Sequence, residues 1–337
     1  MGKYQNVGTP RFYVDYFQYA LTTGLIGVGD ISNNFEADNN KLKKLFYLNP
    51  VNAMPYGVLS NEALVTSVSI NTKFNSLDEH NFDYAMVLNH NGWTAQYTFV
   101  FTLGIDKQYG TADKVNSFGT PEYNGWSYSD IVAENPELVD EDAGTFSIHH
   151  ANGLDNIILS NVGAISVGTK YEMPHSPDLD LTMTREFGGA KKQFTKGGAL
   201  LTNYNYTQPP TWGDGEAWGL STDAPTNLGA RRAGRRTWDL KFSYLSATDV
   251  MSDLEMLNIH PIDEGEHDYE PSLTDNNFFS QFMQKTLGGS LRFIFQPDGS
   301  DYNPDGFAIC VLDQDSISIK QVAHNTYNIS LRIMEVW

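Results

Sequence analysis

The chain has 337 residues, 40% hydrophobic and 19% charged, which is long enough for two ordinary domains or one very large one and too apolar for disorder. Its 41 acidic and 22 basic side chains leave a formal charge of −19, which repels nucleic acid over most of the surface. Aromatics stand at 13%, with 18 Tyr and 19 Phe, a mix that suits strands better than helices, and a single cysteine excludes an internal disulfide.

The opening Met1–Asn6 has no apolar signal region, and no apolar run approaches the ~18 residues of a spanning helix. The expectation is a chain made and folded in a cytoplasm. Pro10–Tyr19 is aromatic-rich and reads as a strand or as an arm docked on another surface. Period-two alternation begins clearly after Ala63, where Leu64, Thr66, Val68 and Ile70 alternate with Val65, Ser67, Ser69 and Asn71. Asn89-His90-Asn91-Gly92 reads as a turn, and Thr94–Leu103 places Tyr97, Phe99, Phe101 and Leu103 on one face. Residues 106–144, rich in Gly, Asn, Asp and Pro, read as a long surface loop with one short helix at most. Strands are predicted again at Thr145–His149, Asn156–Leu159 and Ala164–Thr169. Met173-Pro174-His175-Ser176-Pro177 then breaks the pattern, because proline removes a donor and restricts its predecessor. This is the expected domain boundary, with an N-terminal jelly-roll-like β domain at 1–172 and a C-terminal β domain at 173–337.

The second half opens with the alternating Asp180–Arg185, followed by a Gly/Pro/Asn/Thr-rich excursion over 203–230. Trp238, Leu240, Phe242 and Tyr244 share one face of the next strand. A short helix follows, with Thr248 as cap and Val250, Met251, Leu254 and Leu257 on one side. Another helix is predicted from the cap candidate Asp275 through Phe278, Phe279, Phe282 and Met283 to Leu287, where Gly288 closes it. Leu291–Phe295, Phe307–Leu312, Ser316–Val322 and Tyr327–Val336 read as four closing strands. Cys310 lies inside the second of them as a buried small hydrophobe. In the last, Tyr327, Ile329, Leu331 and Ile333 face the core. The predicted fold class is mainly β, two sandwich- or barrel-like domains with one or two short helices in the second.

Catalytic signatures are missing. There is no Gly-x-x-x-x-Gly-Lys-Ser/Thr cradle, Gly24–Gly29 has the wrong order for a dinucleotide fingerprint, and no Gly-x-Ser-x-Gly elbow occurs. Asp301, Asn303 and Asp305 copy the first half of a calcium loop, but Leu312 stands where its bidentate Glu belongs, and a polar hairpin loop accounts for the same residues. The His260–Asp268 segment matches no standard zinc spacing and reads as a solvated acidic loop. His149 and His150, adjacent in a strand, point to opposite faces. The expectation is therefore no enzyme, no cofactor and no metal.

Charge is unevenly distributed. Residues 185–241 hold nine basic and five acidic side chains, +4 in all, against −23 for the remainder. Arg231, Arg232, Arg235 and Arg236, with Lys191 and Lys192, are the candidate interface, since guanidinium forks pair with carboxylates of a neighbouring copy. Tyr204, Tyr206, Trp212 and Trp218 lie among amide and acidic residues; they grip a sugar or a partner protein, or pin their own loop.

Three stretches then carry a resemblance: Val167–Leu181, Gln193–Gly198 and Gly234–Leu245. Together with the ending Asn328–Trp337 they resemble virion structural proteins of tailed bacteriophages, over roughly residues 165–337. That resemblance implies a ring-forming tail component, such as a tube-end, distal-tail or baseplate hub subunit, whose partners are itself and neighbouring tail proteins. It implies location in the virion and no catalytic residues. The alternatives are a carbohydrate-binding adhesion module, on the Tyr204–Trp218 aromatics, and a glycan-cleaving enzyme, since paired carboxylates leave no sequence signature.

Overall fold

The computed structural model describes residues 8–33, 39–49, 54–56, 65–71, 83–90, 97–105, 112–119, 125–131, 143–150, 160–186, 190–204, 235–251, 276–302 and 306–336. In chain order the strands are β1 (Arg11–Asp15), β2 (Ile31–Asn33), β3 (Met54–Tyr56), β4 (Val65–Asn71), β5 (Tyr84–Leu88), β6 (Tyr97–Ile105), β7 (Ala112–Gly119), β8 (Trp126–Asp130), β9 (Ala143–His150) and β10 (Ser160–Val162). They continue with β11 (Ala164–Glu172), β12 (Thr182–Glu186), β13 (Ala190–Phe194), β14 (Leu200–Tyr204), β15 (Arg235–Ser246), β16 (Phe293–Gln296), β17 (Ala308–Leu312), β18 (Ile319–Ala323) and β19 (Thr326–Glu335). Helices are short: α1 (Tyr16–Thr23), α2 (Asn39–Leu42), α3 (Ala247–Val250) and a π-helical turn at Phe279–Gln284. The protein is mainly β. No helix among the described residues is long and apolar enough to cross a membrane.

The largest sheet is antiparallel throughout, in the order β12-β15-β19-β17-β16-β1-β11-β5-β8, with β18 added beside β19. It crosses the expected boundary at 172/173 without a break, because β1 pairs with β11 on one side and β16 on the other. The segment read as a strand or a docked arm is therefore an interior strand of this sheet. A second sheet has the order β2-β4-β9-β6-β7, and β3–β10 and β13–β14 form two-stranded pairs.

Register explains the core. Phe12 and Val14 alternate with Tyr13, and strict pairing carries each parity across the sheet. One face gathers Phe12, Val14, Tyr171, Trp238, Leu240, Phe242, Phe293, Phe295, Cys310, Ile329, Leu331 and Ile333, covered by Phe278 and Phe282 of the π-helical segment. The opposite face buries Tyr13, Tyr84, Met86, Leu88, Trp126, Ile294, Phe307 and Ile309. A third cluster joins Tyr16 and Phe17 of α1 to Val87 and Ile165 of the large sheet and to Ile31 and Phe146 of the second sheet. Cys310 is buried in a strand, and Ile329, Leu331 and Ile333 face inward while Ser330 and Arg332 are exposed, as their alternation requires.

Several expectations are corrected. The 106–144 region contains β7, β8 and the start of β9, and β8 buries Trp126. Tyr244 does not continue the inward face. A bulge between Phe242 and Leu245 hands that role to Leu245 and turns Tyr244 outward at φ 65°. The cap of α3 is Ser246 rather than Thr248: its hydroxyl accepts the Asp249 N–H, while Asp249 accepts the Ser246 N–H at 2.8 Å. Asn277 caps the following helical segment by accepting the Ser280 N–H at 2.8 Å. That segment ends where Leu287 and Gly288 both take positive φ. Asp275, Leu254, Leu257, Asn156–Leu159 and His260–Asp268 lie outside the described residues.

Candidate interaction surface

The expected arginine interface divides. Arg231 and Arg232 lie outside the described residues. Arg236 is buried, and its Nε and Nη2 donate to Glu335 at 3.0 and 2.8 Å, with Nη2 also reaching the Phe307 carbonyl at 3.1 Å. Its backbone N–H donates to the same carboxylate at 3.0 Å, and its guanidinium lies 5.1 Å from the centre of the Trp238 ring. Arg236 thus holds β15 to β19 inside its own chain. A run of four arginines gives no sign of this, because the carboxylate it meets stands 99 positions away. Arg235 begins β15 and is half-buried.

The basic band has its exposed part elsewhere. β13 and β14 form a hairpin that pairs with no other described strand. Its turn is set by Thr195, whose N–H donates to Ala199 O and whose carbonyl and hydroxyl accept from Gly198 and Ala199. Gly198 sits at φ 81°, where glycine is favoured. Residues 192–201 are all exposed. Lys192 and Lys196 reach solvent, and so do Leu200, Leu201 and Phe194, the last at 75% exposure. Lys191 pairs through its backbone with Asn203, and Tyr204 with Ala190. Residues 190–204 contain three lysines and no acid. An isolated two-stranded hairpin is marginal in water, and three large apolar side chains on its surface add a further cost.

A second exposed apolar feature lies at the start of β12. Leu179 is fully exposed on a turn fastened to β15: Asp178 N–H donates to Lys241 O at 2.8 Å, Ser243 Oγ donates to Asp178 Oδ2 at 2.7 Å, and Lys241 Nζ meets Asp180 at 2.6 Å. Tyr244 is also exposed, at 80%, and its N–H is held by Asn328 Oδ1 at 3.1 Å.

Perturbed titratable groups occur inside the fold. Asp15 caps α1 by accepting the Gln18 N–H at 2.8 Å, and burial pushes its carboxyl up to about 7. Burial lowers the Lys285 ammonium to about 8, where it donates to Gln281 Oε1 at 2.7 Å. Burial also holds the His90 imidazole down at about 3, beside Ser127 Oγ at 2.9 Å. Each is engaged by neighbours in the core.

The remaining sequence candidates separate. Tyr206, Trp212, Trp218, Asn303 and Asp305 lie outside the described residues. Asp301 is half-buried; its carbonyl accepts from Gln296 Nε2 at 3.0 Å and its N–H donates to Asp298 O at 2.9 Å. No group of three or more His, Cys, Asp or Glu suited to a metal occurs among the described residues. Sequence reasoning missed the hairpin because its strands have five residues each and lack a clean period-two alternation of apolar and polar side chains. The Gly197-Gly198 turn between Phe194 and Leu200 was its available signal. No protein-family model matches the chain, and no curated protein shows significant similarity to it.

Proposed function

We propose that this protein is a structural subunit of a tailed-bacteriophage virion, ring-forming in the tail or baseplate, and acting through protein–protein interfaces rather than catalysis. The observation that carries the assembly reading is the β13–β14 hairpin, which displays Phe194, Leu200 and Leu201 among Lys192 and Lys196. Apolar side chains of this size on a hairpin that pairs with no other described strand call for a covering surface. The tail assignment rests on the resemblance of residues 165–337 to virion structural proteins. The partners are other copies of the chain and adjoining tail proteins, and the site is the virion after assembly in the host cytoplasm. Mass photometry and negative-stain imaging of the purified protein test this reading. Closed rings are the expected result, and a monomer at all concentrations refutes it.

A further inference from the structure

We infer that Asp15 is a proton-operated latch: with its carboxyl protonated, α1 and residues 42–48 lie closed against the large sheet, and loss of that proton releases them as a unit. Asp15 ends β1 and caps α1, with Oδ1 accepting the Gln18 N–H at 2.8 Å. The residue is 1% exposed, and its Oδ2 has no hydrogen-bond partner among the described residues. Register accounts for the missing partner. Asp15 stands opposite Gly168 of β11, which has no side chain to offer, and the pairing of β1 with β16 stops at Tyr13. A carboxylate buried in this way is costly, whereas the neutral acid is not.

The groups facing the carboxyl are Ser166 and the Val167 amide of β11, the Phe17 and Gln18 amides of α1, and Tyr84 of β5, whose hydroxyl meets Ser166 Oγ at 2.9 Å. None of these is a cation. Asp83 adjoins Tyr84, and Lys285 of the neighbouring helical segment is turned to Gln281 Oε1 at 2.7 Å and Thr169 Oγ1 at 3.5 Å. Burial outweighs the amides and the helix N-terminus, which favour the charge, and raises the group to about 7. Opening hydrates the charge, and the bonds of α1 define what moves. Gln18, whose amide the cap holds, donates from Nε2 to the Arg292 carbonyl at 2.9 Å and accepts the Leu48 N–H on Oε1 at 3.1 Å. Arg292 Nη1 in turn donates to the Leu48 carbonyl at 2.7 Å. Tyr16, Phe17 and Ala20 pack with Leu42, Leu45 and Phe46 in one cluster. Through Gln18 the cap thus reaches both α1 and residues 42–48.

Hydrogen exchange of the full chain, corrected for intrinsic rates, tests the latch between about pH 5 and 6.5. Opening releases a proton at any pH between 3.8 and about 7, so the opening constant of α1 and residues 42–48 should rise about tenfold per pH unit in the parent. In Asp15→Asn it should stay flat. Global unfolding reads differently, because it also exposes His90, whose proton uptake opposes the Asp15 slope in this window. The amides of β15 and β19, outside the latch, should therefore lack the tenfold rise. If Asp15→Asn does not fold, Asp15→Ser keeps a cap acceptor without a titratable group and serves the same comparison. Equal slopes in parent and variant, or one slope shared by α1 and β19, overturn the latch.

Discussion

Replacing Arg236 by Met should destabilise the protein far more than any surface arginine change. The substitution removes three side-chain donations, two to Glu335 and one to the Phe307 carbonyl. It leaves a carboxylate that is 2% exposed with the Arg236 backbone N–H as its remaining bond among those described. Uncompensated buried charge of this kind costs about 3–5 kcal/mol. Methionine keeps most of the aliphatic stem over Trp238, so packing loss is a minor part. Glu335→Leu alone strands the guanidinium at a similar cost. The double variant Arg236→Met/Glu335→Leu should recover most of the loss, since apolar replacement of a whole buried pair is close to neutral. Urea unfolding of the four proteins, followed by tryptophan fluorescence, gives the coupling energy, expected at about 3 kcal/mol or more. If Arg236→Met costs under about 0.5 kcal/mol, in the range of ordinary surface changes, the pair is solvated and the reasoning fails.

Leu331→Ala, opposite Leu240 in the core, should cost about 2–5 kcal/mol in thermal unfolding, and Ser330→Ala on the outer face under about 0.5; the reverse order would invert the register of β19. Gly168→Ala would place a methyl 1.9 Å from the Val14 carbonyl, so the β1–β11 ladder must part and stability should fall by on the order of 3 kcal/mol or more; an unchanged melting temperature would rule out this pairing. Asp15, raised from 3.8 to about 7 on folding, contributes stability that is complete below pH 3.8 and lost as pH rises through 7. His90, lowered from 6.5 to about 3, contributes stability present above 6.5 and lost as pH falls through 3, so the two slopes oppose each other between about pH 4 and 6.5. Asp15→Asn should unmask the His90 slope, up to about 1.4 kcal/mol per pH unit. Equal slopes for parent and variant across that window would refute the assignment.

The strands most legible in the sequence are those with one wet face. In β19 the alternation of Ile329, Leu331 and Ile333 with Ser330 and Arg332 reports burial directly. β5 is different: all five residues are buried, because both sheet faces are covered there, and no alternation remains to read. β1 has the same property and runs straight into α1, so its aromatics gave no period. The Tyr244 bulge is invisible because one inserted residue preserves composition and changes only parity. Local charge density gives no sign that one of the four arginines turns inward. Arg236 belongs to the core since Glu335, on a distant strand, is there to meet it. The hairpin's exposure depends on what its strands do not pair with, a property no window of sequence contains.

The interior position of β1 has a consequence for the order of events in folding. Tyr13 hydrogen-bonds Gln296 across 283 positions, and β1 is flanked by β16 as well as β11. During synthesis at ~5–20 residues per second, one side of β1 therefore waits roughly 15–60 s for its neighbour to be made. Through that interval its backbone groups and the Phe12 and Val14 side chains lack half of their eventual environment. Closure of the large sheet is a late, long-range step, so this chain belongs among slow folders whose nascent edge must be kept from premature pairing.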